Sequence, residues 1–122
     1  LSQIPTLDLI EQLRYLGGTP SELLNDNQMM QFLLPVLRAD FSVCEKYTYL
    51  QEPPLDCAIS AFGGLHDRYV SHEDLAAWQT ETHGTVMVEL FPGGHFFIHQ
   101  ERELLLQSIS KNLLQHCSLP KP

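Results

Sequence analysis

At 122 residues, 43% hydrophobic and 18% charged, the chain has the size and composition of one small globular domain. Its net charge of −8 leaves seven basic residues spread from Arg14 to Lys121, which argues against a nucleic-acid or anionic-membrane surface. No apolar run reaches the ~18 residues that cross a bilayer, and no basic stretch opens the chain as in a signal peptide.

Residues 1–50 read as helical. Thr6, with Asp8 and Glu11 behind it, is expected to cap a first helix carrying Leu9, Ile10, Leu13 and Leu16 on one side, ended by Gly17-Gly18. Thr19-Pro20 reads as the cap and first residue of a second helix. A third segment runs from about Asn27 to Tyr47. Pro35 removes a backbone donor inside it, so a kink or restart is expected. Beyond Pro35 the helical period continues through Val36, Ala39, Val43 and Tyr47. Arg38 and Asp40 are expected to form an ion pair, the alternative being that Arg38 meets a partner's phosphate.

Gln51 to Asp56 contains Pro53-Pro54 and reads as a joint, after which residues 51–122 take a βαβα texture. Cys57 to Phe62 is nearly all apolar, as expected of a strand covered on both faces with Cys57 buried. It runs into Phe62-Gly63-Gly64-Leu65-His66-Asp67. Ser71 and Asp74 have capping-box spacing and open a helix expected to reach Thr82, with Trp78 packed against its neighbours. Thr85 to Phe91 reads as a second strand whose only charge is Glu89, followed by Phe91-Pro92-Gly93-Gly94-His95-Phe96-Phe97. A last helix from about Gln100 to His116 is expected to bury Leu104, Leu105, Ile109 and Leu113. Cys44, Cys57 and Cys117 are odd in number and lack CxxC spacing, so they are expected to be inert thiols in a reduced, cytoplasmic setting.

The two Gly-rich segments carry the chemistry. Parallel strands joined by a helix end at the same sheet edge, ~4.8 Å apart, so a residue just past one end can meet its counterpart past the other. Asp67 and His95 occupy those places. An Asp bonded to one imidazole nitrogen fixes the tautomer and leaves the other nitrogen to take a proton. His66 is expected to face solvent. His95 and His99, with Asp67 or His72, could mimic a metal set, but no HExxH pattern supports one and no metal is expected. A strand-end acid followed by a strand-end histidine is the acid–base half of an α/β-hydrolase site, whose nucleophile normally sits on an upstream G-x-S-x-G elbow. No serine or cysteine of this sequence has that flanking.

The sequence resembles the C-terminal half of the type II thioesterases that accompany non-ribosomal peptide and polyketide synthases. The matching stretches are Leu13-Arg14-Tyr15-Leu16-Gly17-Gly18-Thr19-Pro20, Leu34-Pro35-Val36-Leu37-Arg38-Ala39-Asp40-Phe41, Pro53-Pro54-Leu55-Asp56-Cys57 and the two Gly-rich segments. The resemblance implies an α/β fold: lid helices over residues 1–50, and over 51–122 the last two parallel strand–helix units of an α/β-hydrolase core. It implies Asp67 as the triad acid, His95 as the general base, and a lid over an acyl channel; one or two of Met29, Met30, Phe32 and Leu33 are expected to line that channel, the alternative being that the run packs as core. It also implies hydrolysis of acyl thioesters on phosphopantetheine-bearing acyl or peptidyl carrier proteins, without a cofactor. The serine elbow and oxyanion hole belong to strands that precede the lid in that family, so the chain is expected to be a fragment that is inactive alone. The alternative expectation is a non-catalytic truncated piece or a module that binds a carrier protein.

Overall fold

A computed structural model describes residues 1–116; Cys117 lies outside them. The chain divides into two compact units, Leu1–Glu52 and the part from Pro53 onward.

The first unit contains α1 (Thr6–Leu16), α2 (Ser21–Leu24) and α3 (Asn27–Lys46). Leu9 and Leu13 of α1, Leu24 of α2 and Met30 of α3 form its buried core. Leu33, Leu34, Leu37 and Phe41 of α3 pack partly buried against them at helical spacing. Gly17 ends α1 with φ +75°, its amide donating to Leu13 O at 3.2 Å, as a left-handed cap requires.

The helix starts differ from those expected. Pro5 and Pro20 stand at the N-cap positions of α1 and α2, neither with a side-chain cap, so Thr6 lies inside α1 and Thr19 caps nothing. Both prolines have extended ψ, which lets the chain enter each helix one residue later. Among α1 to α3 the cap with a side-chain bond is Asp26, whose Oδ1 accepts the amides of Gln28 at 2.9 Å and Met29 at 3.0 Å.

Pro35 lies within α3 without a restart. Both Pro35 and Gln31, the residue whose carbonyl it cannot reach, are on the exposed face, where solvent can satisfy that carbonyl. Val36, Ala39 and Val43 lie on α3 but are exposed, and Tyr47 is its extended C-cap; the buried stripe is the other one. Arg38 does not pair with Asp40. Its guanidinium donates to Ser2 O at 2.8 Å and Thr6 Oγ1 at 3.3 Å, tying α3 to the segment before α1 and to α1's first residue.

The second unit is a βαβ crossover followed by helices. β1 (Ile59–Gly64) and β2 (Val86–Phe91) pair in parallel, with Ile59 opposite Val86 and Gly64 opposite Phe91. Between them run α4 (His72–Ala76) and a 3₁₀ segment, Ala77–Glu81. After β2 come α5 (Phe97–Gln100) and α6 (Arg102–His116). The Ser71–Asp74 capping box forms as its spacing predicts, but the helix tightens to 3₁₀ after Ala76 instead of continuing to Thr82, and Trp78 is 51% exposed.

Alternation along the strands places Gly63 and Glu89 on opposite faces, because Glu89 pairs with Phe62. Leu75 of α4 covers the first face, close enough that a Cβ on Gly63 would stand 2.5 Å from it. On the second face Glu89 accepts from Ser108 of α6, and Asn112 donates to Ser108 O at 2.9 Å.

That second face is incompletely covered. Cys57 precedes β1 and is exposed, as are Ser60 and Met87, so the expectation of a strand buried on both faces with Cys57 inside it is corrected. Of the four leucine and isoleucine positions expected to be buried in α6, Leu105 and Ile109 are half-buried, whereas Leu104 and Leu113 are exposed. An apolar groove remains between β1 and α6, lined by Ala58, Phe62, Ile109 and Leu113 among others.

At the opposite sheet end, Leu55 bridges to buried Thr82. The Thr82 hydroxyl lies 2.9 Å from Leu55 O and 2.5 Å from Cys57 O, and accepts the Gly84 amide at 2.9 Å. These contacts set the register in which β1 and β2 finish together.

Candidate active site

Because Gly64 and Phe91 are register partners, the loops after β1 and β2 leave the same sheet edge. They are joined through backbone. Leu65 donates to Phe91 O at 2.7 Å, and His66 to Gly93 O at 2.8 Å. Asp67 donates back to Gly64 O at 3.1 Å. The glycines make this approach possible. A Cβ on Gly64 would sit 2.2 Å from Gly94 O and 2.9 Å from Gly93 O, and Gly93 itself has φ +107°.

These turns bring His95 Nδ1 to 2.9 Å from Asp67 Oδ2. The other carboxylate oxygen of Asp67 accepts the amides of Tyr69 at 2.8 Å and Val70 at 3.3 Å. The acid is held from both sides, with its side chain 5% exposed, while the His95 side chain is 38% exposed. Burial pushes the Asp67 carboxyl upward, but the Tyr69 amide, His95 and the Val70 amide together outweigh it and hold the group below its ordinary value. Asp67 therefore stays an anion at neutral pH and keeps the Nδ1 proton in place. Nε2 remains the atom able to accept a proton.

The lowered value has a stability consequence with a definite sign. A folded-state pKa below the unfolded one, about 3.9 for Asp, gives stabilisation that is full above the unfolded value. It is lost as pH falls through the folded value. Denaturant titrations between pH 5 and 2 should show stability falling more steeply in the native chain than in Asp67→Asn. Parallel curves would mean the carboxylate carries no such linkage.

A second Asp–His contact was not anticipated from sequence: His83 Nδ1 lies 2.8 Å from Asp56 Oδ1. It sits beside the Leu55–Thr82 bridge, at the other end of the sheet. Its side chains are 67% and 89% exposed, so it lacks the buried, amide-held acid that distinguishes Asp67. The amides of Tyr69 and Val70 were also missed. The signal for them is an Asp at the start of a turn, which bonds the backbone two and three residues on.

The expected channel residues diverge. Met30 is 3% exposed in the core of the helical unit, and Leu33 packs against that core. Met29 and Phe32 are 44% and 78% exposed. His66 is exposed, and His99 stacks on Phe96 with ring centroids 6.1 Å apart. Among the described residues no group of three or more His, Cys, Asp or Glu side chains is placed to hold a metal ion. No described helix is long and apolar enough to cross a membrane.

A parallel βαβ crossover whose strand-end loops deliver a buried acid to Nδ1 of a half-exposed histidine places the chain among the α/β-hydrolases, as part of that fold. The thioesterase domain model matches residues 2–113, and the chain belongs to that family. It is 42% identical over 110 residues to the gramicidin S biosynthesis protein GrsT of Aneurinibacillus migulanus, covering 90% of this chain and 43% of that protein. The solved structure of the RedJ thioesterase from the prodiginine pathway of Streptomyces coelicolor superposes with a TM-score of 0.81 at 33% identity, over 90% of this chain and 44% of that one. The type II thioesterase BorB from the borrelidin biosynthetic cluster gives a TM-score of 0.76 at 31% identity, over 92% and 46%. The chain thus spans less than half the length of these relatives.

Proposed function

We propose that the chain supplies the acid–base pair and lid of a thioester hydrolase that clears stalled or misprimed acyl groups from phosphopantetheine-bearing acyl or peptidyl carrier proteins. The Asp67–His95 contact carries this reading, because it orients Nε2 as the base a hydroxyl nucleophile needs. His95 takes the proton as a serine attacks the thioester carbonyl, and returns it to the departing thiolate. Water then repeats the cycle on the acyl-enzyme. The serine and the oxyanion donors come from outside these 122 residues, since the sequence holds no G-x-S-x-G. Of the four expected channel positions, Met29 and Phe32 are exposed and available to an acyl chain, while Met30 and Leu33 serve the helical unit's own core.

The test is hydrolysis of an acyl-pantetheine thioester by three proteins: this chain, its His95→Ala form, and a chimera with the elbow-bearing N-terminal part of a related thioesterase fused ahead of residue 1. The expected result is turnover by the chimera alone. Turnover by the isolated chain that His95→Ala abolishes would overturn the external-serine assignment. A folded but inactive chimera would overturn the hydrolase reading in favour of a carrier-protein binding module.

A further inference from the structure

His95 is exposed enough to turn about its side-chain bonds, and a single 2.9 Å contact to Asp67 is not by itself a rigid mount. Two aromatic rings close around it. Tyr69 lies with its centroid 5.9 Å from the imidazole and its plane at 67°. Phe96 lies 5.3 Å away at 87°. Phe96 is in turn backed by the His99 ring, 6.1 Å away and within 16° of parallel. Near-perpendicular rings at these separations attract through their quadrupoles and resist rotation of the enclosed ring.

The two brackets are also tied to the acid and the base by the chain itself. Tyr69 donates its amide to Asp67 Oδ1 at 2.8 Å, so the residue that holds the acid carries one of the rings. Phe96 follows His95 directly and stands at the N-cap position of α5, where the Phe97 amide bonds Gly94 O at 3.0 Å. Phe97 is buried and stacked on Phe91, centroids 5.7 Å apart, which fixes the backbone that presents Phe96.

We propose that Tyr69 and Phe96 are positioning residues for His95: together they hold the imidazole in the plane that keeps Nδ1–H on Asp67 and Nε2 directed outward. This rests on the acid–base reading of Asp67 and His95, but it concerns ring orientation and tautomer, which need neither serine nor substrate. A hydroxyl nucleophile approaching Nε2 then meets an acceptor already aimed, instead of a ring that must first be turned.

The experiment uses the full 122-residue chain, with the imidazole ¹⁵N shifts of His95 recorded at a pH where the ring is neutral. The native chain should show essentially one tautomer, with the proton on Nδ1. Tyr69→Leu and Phe96→Leu should each raise the Nε2–H fraction at least about threefold, because an imidazole free to turn leaves the Asp67 carboxylate for part of the time. Phe96→Tyr, which keeps the ring, should restore the native ratio. Tyr69 is 47% exposed, so its replacement tests the bracket even if Phe96→Leu fails to fold. Native tautomer ratios in both Leu variants, with Asp67→Asn shifting the ratio strongly, would overturn the bracket and leave the acid–base pair standing. No change in Asp67→Asn either would overturn the pair itself.

Discussion

His95→Ala in the elbow-bearing chimera is expected to lower kcat by roughly 10⁴-fold or more with little change in KM, since triad bases contribute on that scale. The physical reason is local. Without Nε2 nothing takes the serine proton at neutral pH, and the Asp67 carboxylate, 5% exposed and turned toward Nδ1, cannot reach past the missing ring. Asp67→Asn should fall nearly as far. An amide at Oδ2 can offer a donor where the ring needs an acceptor, which favours the wrong tautomer. Single-turnover acylation separates this from a folding defect: binding should persist while the acyl-enzyme fails to form. Turnover within about tenfold of native in either variant would remove these residues from the mechanism.

Gly64→Ala should be the most damaging single-methyl change in the second unit. The added carbon would lie 2.2 Å from Gly94 O and 2.9 Å from Gly93 O, both backbone atoms with no rotamer to escape into. Relief requires the two loops to part. That breaks the Leu65–Phe91 and His66–Gly93 bonds and draws His95 away from Asp67. Overpacking against backbone at a buried position costs about 3 kcal/mol, measurable as a lowered urea midpoint. Gly63→Ala is the control. Its Cβ would meet Leu75 Cδ1 at 2.5 Å, the far end of a flexible side chain that can shift, so the loss should be smaller. Equal losses would mean the close approach of the two loops is not what Gly64 protects.

The parallel crossover, the order of its strands and longer helices, and the meeting of Asp67 with His95 were legible in the sequence; the short α5 and the 3₁₀ segment were not. Each depends on local signals: apolar runs of strand length, Gly pairs just past them, and the Ser71–Asp74 box that starts the helix between them. Where the reading missed, two local signals competed. At Thr6 and Thr19 a capping residue stands beside a proline, and the proline took the N-cap position. In α3 two apolar stripes share one helix. The stripe at Val36, Ala39, Val43 and Tyr47 is as periodic as the one that packs on Leu9 and Leu13, so periodicity alone cannot say which is buried.

The sequence by itself determined the chemistry available: a strand-end acid, a strand-end histidine, and no elbow serine to serve. Those follow from residue identity and from the rule that parallel strands end at one edge. The tertiary structure decided how the pair is held. The Tyr69 and Val70 amides hold Asp67 as an anion, the Gly64–Gly94 approach sets the distance, and Tyr69 and Phe96 enclose the imidazole. It also separated Asp67–His95 from the exposed Asp56–His83 contact. Both pairs use Nδ1 at hydrogen-bond distance, but only packing reveals which carboxylate has left the solvent.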